Sequence, residues 1–122
     1  MSLRTRRWAL APAVAAVVLQ LVVLYAPSGV GAAPFAYSDK LVHACVFALP
    51  VFFALVARLP WLPVVTVAAL HAPVSEVVQA RLLVDRAGDP WDAVADLVGV
   101  GLGLLAATLV HRRRAGVAGD RW

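Results

Sequence analysis

Four apolar runs, each long enough to cross a bilayer as a helix, follow one another with only short breaks between them. They are "WALAPAVAAVVLQLVVLYA" (Trp8–Ala26), "LVHACVFALPVFFALVA" (Leu41–Ala57), "WLPVVTVAALHAPVSEVVQARLL" (Trp61–Leu83) and "WDAVADLVGVGLGLLAATLV" (Trp91–Val110). A membrane-spanning helix needs roughly 20 mostly apolar residues. In 122 residues the four runs leave no room for a second domain. Hydrophobic residues make up 62% of the chain and charged residues 15%, against roughly 45–50% and 25% in soluble domains. These values exclude an ordinary water-soluble fold. The expected architecture is all-α: one integral membrane bundle of four transmembrane helices.

The breaks support this division. "APSGVGAAP" and "RLPWLP" place Pro and Gly between runs, where they punctuate helices. Pro12, Pro50, Pro63 and Pro73 fall inside or near the starts of runs, which membrane helices tolerate. Arg4, Arg6 and Arg7 before the first run, with "GVGAA" after it, resemble a signal peptide. The apolar regions of signal peptides span only about 7–15 residues, so an uncleaved helix is expected. Ten of the eleven basic residues are Arg, and the chain has no Asn or Ile. This usage suggests a GC-rich bacterial genome, and hence a multi-pass protein of the bacterial inner membrane. The lone Cys45 offers neither an intramolecular disulfide nor a zinc site and is expected to serve packing. No cofactor is expected and no His/Cys cluster argues for zinc, although carboxylates could hold a divalent ion.

Four helices put both termini on one side. That side carries Arg4, Arg6, Arg7, Arg58, Arg112, Arg113, Arg114 and Arg121, against Lys40, Arg81 and Arg86 on the other. By the positive-inside rule both termini are expected in the cytoplasm. Asp39, Glu76, Asp85, Asp89, Asp92 and Asp96 then gather at the extracytoplasmic face, leaving only Asp120 inside. Arg112–Arg114, in the basic tail 111–122, reads as a topology determinant touching anionic lipid, and nucleic-acid binding is not expected. Trp8, Trp61 and Trp91 read as interface anchors.

Depth separates the polar residues. Asp85 and Asp89 belong to a loop and read as surface charges. His43, Glu76 and Asp96 lie about 6–7 Å inside their helix ends at a rise of 1.5 Å per residue. Charges there should face the bundle and pair. Asp39 and His43 share a helix face by spacing, as do Glu76 with Gln79 and Asp92 with Asp96. The last stripe continues into Gly99 and Gly103, small residues at a spacing that lets a neighbouring helix approach closely. Each polar residue also has a plainer reading. Ser38 or Asp39 is expected as an N-cap, and Asp92 suits a first-turn dipole. Glu76 and Asp96 could each belong to a structural ion pair or a shared hydrogen bond, and His43 could satisfy a buried partner. His71 is expected to be structural and His111 interfacial.

These residues resemble a known pattern. "SDKLVHACVFAL" resembles the D-K-x-x-H segment of VanZ-like membrane proteins, "SEVVQ" their E-x-x-Q segment, and "RAGDPWDAVADLVGVGLG" their R-x5-D-x3-N-x2-G-x3-G segment. The likeness runs from Ser38 to Gly103. It places Asp39, Lys40, His43, Glu76, Gln79, Arg86, Asp92 and Gly99 at motif positions. This chain carries Asp96 where the family often has Asn, an acid expected to change the charge of the pocket or to pair with His43 or Arg86. The family is named for an accessory protein of glycopeptide (teicoplanin) resistance, so the resemblance implies a cell-envelope role.

One expectation is therefore an enzyme or envelope-modifying protein whose outer polar pocket takes the head of a lipid-linked, anionic substrate. Lys40 and Arg86 would hold the anion, with Asp39, Gln79 and Asp96 also binding. His43, Glu76 and Asp92 would move protons. The alternatives are a non-enzymatic binder of the same groups and a purely structural polar network. Membrane lipids, and an envelope precursor or head group among them, are the expected partners.

Overall fold

The computed structural model describes residues 2–26, 35–83 and 88–119. They form four helices and no strand: α1 (Leu3–Tyr25), α2 (Ser38–Val56), α3 (Trp61–Leu82) and α4 (Pro90–Gly119). All four are long and apolar enough to cross a membrane. The 19 residues of α2 span about 28 Å at 1.5 Å per residue, close to a bilayer's hydrocarbon thickness. The 30 residues of α4 span about 45 Å. Its basic C-terminal segment therefore continues the helix beyond the expected end at Val110. Likewise α1 already begins at Leu3, with Ser2 as its N-cap.

Side-chain pairings fix the topology. His43 meets Asp96, and His111 meets the Leu55 carbonyl. α2 and α4 thus run parallel and pack along their length. Glycines allow this: a Cβ on Gly99 would strike the Ala44 backbone, and one on Gly103 would lie 2.5 Å from the Ala48 carbonyl oxygen. In a membrane, where lipid is as apolar as leucine, such close backbone approach is a main source of helix association. Tyr25, the last residue of α1, bonds His71 midway along α3 at 2.8 Å. Val17, earlier on α1, shares a concavity with Pro63 and Val64 at the start of α3, so α1 is parallel to α3 and offset toward its N-terminal end.

The core is small. Leu24, Phe47, Val51, Ala72, Val100 and Ala107 are its buried centre. Val18, Leu70, Leu102 and Leu109 point outward, which suits helices solvated by lipid and not by water. Cys45 also faces outward, so it does not serve the interior packing expected of it. Trp8, Trp61 and Trp91 are exposed near helix ends, as interface anchors require.

One cap differs from expectation. Neither Ser38 nor Asp39 caps α2; the cap position is Tyr37, in a left-handed conformation with no side-chain cap bond. Ser38 is instead a buried helical residue. At α4, Asp89 accepts the Trp91 N–H at 2.9 Å and Pro90 opens the helix, the position where a missing N–H costs nothing.

Candidate functional site

The ends of α2, α3 and α4 that face away from the arginine-rich end bring together most of the expected residues. Lys40 lies in the first turn of α2. Its ammonium donates to Asp92 at 2.5 Å, Asp89 at 2.6 Å and Asp39 at 3.0 Å. An ammonium has three N–H donors, so these carboxylates use all of them. Asp39 is more than half exposed and sits on the rim, away from the buried face occupied by His43.

One turn further in, His43 is buried beside Asp96. Its Nδ1 lies 2.8 Å from Asp96 Oδ1, and its Nε2 lies 3.6 Å from Asp92 Oδ2. The first is a hydrogen bond and the second exceeds that range. A carboxylate only accepts, so with Asp96 ionised the Nδ1 carries a ring proton, and in the neutral ring Nε2 then keeps its lone pair. A buried carboxylate behind an imidazole fixes both its tautomer and its orientation, the arrangement a general base uses.

Asp96 is fully buried, with a relative exposure of 0%. Asp96 Oδ2 has no hydrogen-bond partner among the described residues, and neither does the buried Glu76 Oε2. The other Glu76 oxygen, Oε1, accepts the Asp89 backbone N–H at 2.6 Å. Leaving a buried polar atom unpaired costs about 1–3 kcal/mol. Two such carboxylate oxygens near one imidazole make the site an acceptor of donors: hydroxyl, ammonium or a proton.

Gln79 is buried on the same face of α3 as Glu76, as the spacing predicts. Its Nε2 donates to the Leu24 carbonyl at 2.8 Å, joining α3 to α1. His71 is held by Tyr25 and packs its ring against Phe47, the structural role expected of it. Arg86 and Asp85 lie outside the described residues.

Asp89 is the residue that sequence reasoning missed. It was expected to be a surface charge; it instead binds Lys40, caps α4 and gives its N–H to Glu76. The Lys40 ammonium, followed by the Trp91 N–H, holds its carboxyl below the usual aspartate range. The signal was present in "DPW", where an Asp before Pro marks a helix start. The described groups at this end are Asp39, Glu76, Asp89, Asp92 and Asp96 against Lys40, Arg81 and His43, so their balance is acidic.

Comparison with known proteins adds no label: the chain matches no family model, no curated protein and no solved structure. Among the described residues no group of three or more His, Cys, Asp or Glu is arranged to hold a metal ion.

Proposed function

We propose that the chain is a VanZ-like integral membrane protein of the bacterial cell membrane. Both termini are cytoplasmic, and the His43 pocket opens toward the envelope. There it binds the head group of a lipid-linked or other anionic envelope component and exchanges a proton with it. The observation that carries this reading is the buried His43–Asp96 pair, with His43 Nε2 beyond hydrogen-bond range of Asp92. In this reading Nε2 takes a proton from a hydroxyl as that oxygen bonds to an ester centre of the head group, and the same proton passes to the oxygen that leaves. The unpartnered oxygens of Glu76 and Asp96 receive donors from the same ligand. Because three carboxylates already hold Lys40, its role is to position Asp92 and Asp89. Contact with the anionic part of the head group falls to Arg86, by its place in the motif. Orientation rests on the segregation of Arg4, Arg6, Arg7, Arg58 and Arg112–Arg114 to the opposite end.

The test is incubation of purified protein with total envelope lipids, followed by mass spectrometry of the lipids. A modified lipid should form with the unaltered protein. It should be absent with His43→Ala and strongly reduced with Glu76→Gln, while both variants remain folded. Unchanged turnover in both variants would sink the proposal.

A second reading is a non-enzymatic binder or scaffold. It is favoured by the Gln79–Leu24 bond and by the saturated Lys40, both of which tie helices together. It expects Glu76→Gln to weaken ligand retention or thermal stability, with no lipid product formed by any variant.

A further inference from the structure

The arginine-rich end of the bundle holds a concavity, far from the carboxylates. His111 follows Asp96 by fifteen positions on α4, which is about 22 Å along the axis. The concavity has a volume of about 640 Å³ and lies between the end of α2, the turn into α3 and the outer part of α4. Leu55, Leu104 and Ala107 give it an apolar floor, Trp61 stands at its side, and Arg58 and Arg112 line it. None of its lining residues is acidic. Neither Arg58 nor Arg112 has an ion pair among the described residues, where every ion pair belongs to Lys40 or His43.

The local backbone holds Arg58 in place. The Arg58 N–H bonds the Leu55 carbonyl and the Leu59 N–H bonds the Ala54 carbonyl. That pair of bonds closes a helix with a left-handed residue between them. The residue is Arg58, with φ 67°, where glycine is the usual and unstrained choice. Here the chain carries an arginine in a conformation that favours glycine, at the mouth of a cavity. His111 closes the other wall. A carbonyl only accepts, so the ring donates Nε2–H to the Leu55 carbonyl at 2.9 Å. Its Nδ1 is buried with no hydrogen-bond partner among the described residues.

We infer that this cavity is a binding site for the phosphate of an anionic membrane lipid. Arg58 and Arg112 hold the phosphate from two elements, as guanidinium groups do with fork geometry. The glycerol and the first methylenes lie over Leu55, Leu104 and Trp61. The position fits a lipid: the site is at a helix end, beside an exposed tryptophan, with an apolar floor and a cationic mouth. The site is independent of the His43 pocket and of any reaction there.

The experiment is native mass spectrometry of the protein in neutral detergent with added phosphatidylglycerol or phosphatidylcholine. The unaltered protein should retain the anionic lipid in clear preference to the zwitterionic one. Arg58→Gly removes the charge while placing glycine where the backbone favours it, so that variant stays folded. Arg58→Gly and Arg112→Gln should each reduce retention of phosphatidylglycerol roughly tenfold, the loss of one charge-assisted hydrogen bond. Arg113→Gln, on the same exposed tail but outside the lining, should change it less than about twofold by the same reasoning. Equal loss from Arg113→Gln would show diffuse attraction by the tail and overturn the site. Equal retention of the two lipids by the unaltered protein would also overturn it. So would displacement of the bound lipid by millimolar inorganic phosphate, since the occupant would then be a soluble phosphate.

Discussion

Replacing Gly99 with alanine tests whether helix packing and site geometry are one system. Gly99 lies against α2, and a Cβ there would sit 2.9 Å from both the carbonyl carbon and the Cα of Ala44, and closer still to its oxygen. These are backbone atoms, so no rotamer change can relieve the clash. Carbon atoms settle at about 3.5–4.0 Å, so α2 and α4 must part locally by about 1 Å. Asp96 lies one turn before Gly99 on α4, and its bond to His43 is 2.8 Å. Lengthening by about 1 Å takes that bond out of hydrogen-bond range. Overpacking costs about 1–3 kcal/mol, and loss of a charged hydrogen bond about 1.5–3 kcal/mol. The combined expectation is about 3–5 kcal/mol, or roughly a 15 °C fall in Tm for a chain of this size.

The control is two residues away. A Cβ on Gly101 meets nothing within 4 Å, so Gly101→Ala should stabilise α4 by about 0.5–1 kcal/mol through helix preference alone. Thermal unfolding of both variants in one detergent reads the difference directly. Equal melting temperatures for Gly99→Ala and Gly101→Ala would refute the close packing of α2 on α4, and with it the geometry assigned to His43.

Other substitutions address the remaining contacts. Lys40→Met leaves Asp39, Asp89 and Asp92 without their shared cation and should cost roughly 2 kcal/mol in chemical denaturation, less than a fully buried pair would. Tyr25→Phe removes the His71 bond and should cost about 1 kcal/mol, read as a smaller Tm shift than that of Gly99→Ala. The Asp89 carboxyl titrates below its ordinary value in the folded protein because of Lys40 and the Trp91 N–H. A depressed folded value means that its contribution is complete above about pH 4, the unfolded value, and fades as pH falls through the lower folded value. Melting curves of the unaltered protein and of Asp89→Asn should therefore differ above pH 4 and converge below it. A constant gap down to pH 2 would contradict the Lys40–Asp89 interaction.

The fold was legible because apolar run length is a one-dimensional signal. Each helix needs its own stretch, and the chain has room for only four. Facing was legible too where two residues share a stripe: Glu76 with Gln79, and Asp92 with Asp96 followed by Gly99 and Gly103, all turn inward. Asp39 shows the limit of spacing. It shares an i,i+4 relation with His43, yet it lies exposed in the first turn of α2 with its carboxylate on Lys40. The partner of the glycine stripe was hidden as well, since nothing in α4 alone states that α2, and not the sequence neighbour α3, is its closest companion.

Asp89 explains why a loop residue could not be judged by its exposure in the sequence. It sits at the junction of three independent demands: a start for α4, a counterion for Lys40, and a backbone donor for Glu76. Each comes from a different helix, so the residue has meaning only once the helices are assembled. The same holds for Asp96. As an acid it is costly at a depth of about 9 Å along α4 from Pro90, and only the parallel packing of α2 supplies His43 to compensate it. The acidic end and the glycine-packed seam therefore depend on each other. The glycines bring His43 close enough to make Asp96 tolerable, and that pair in turn holds the ring with Nε2 turned toward Asp92.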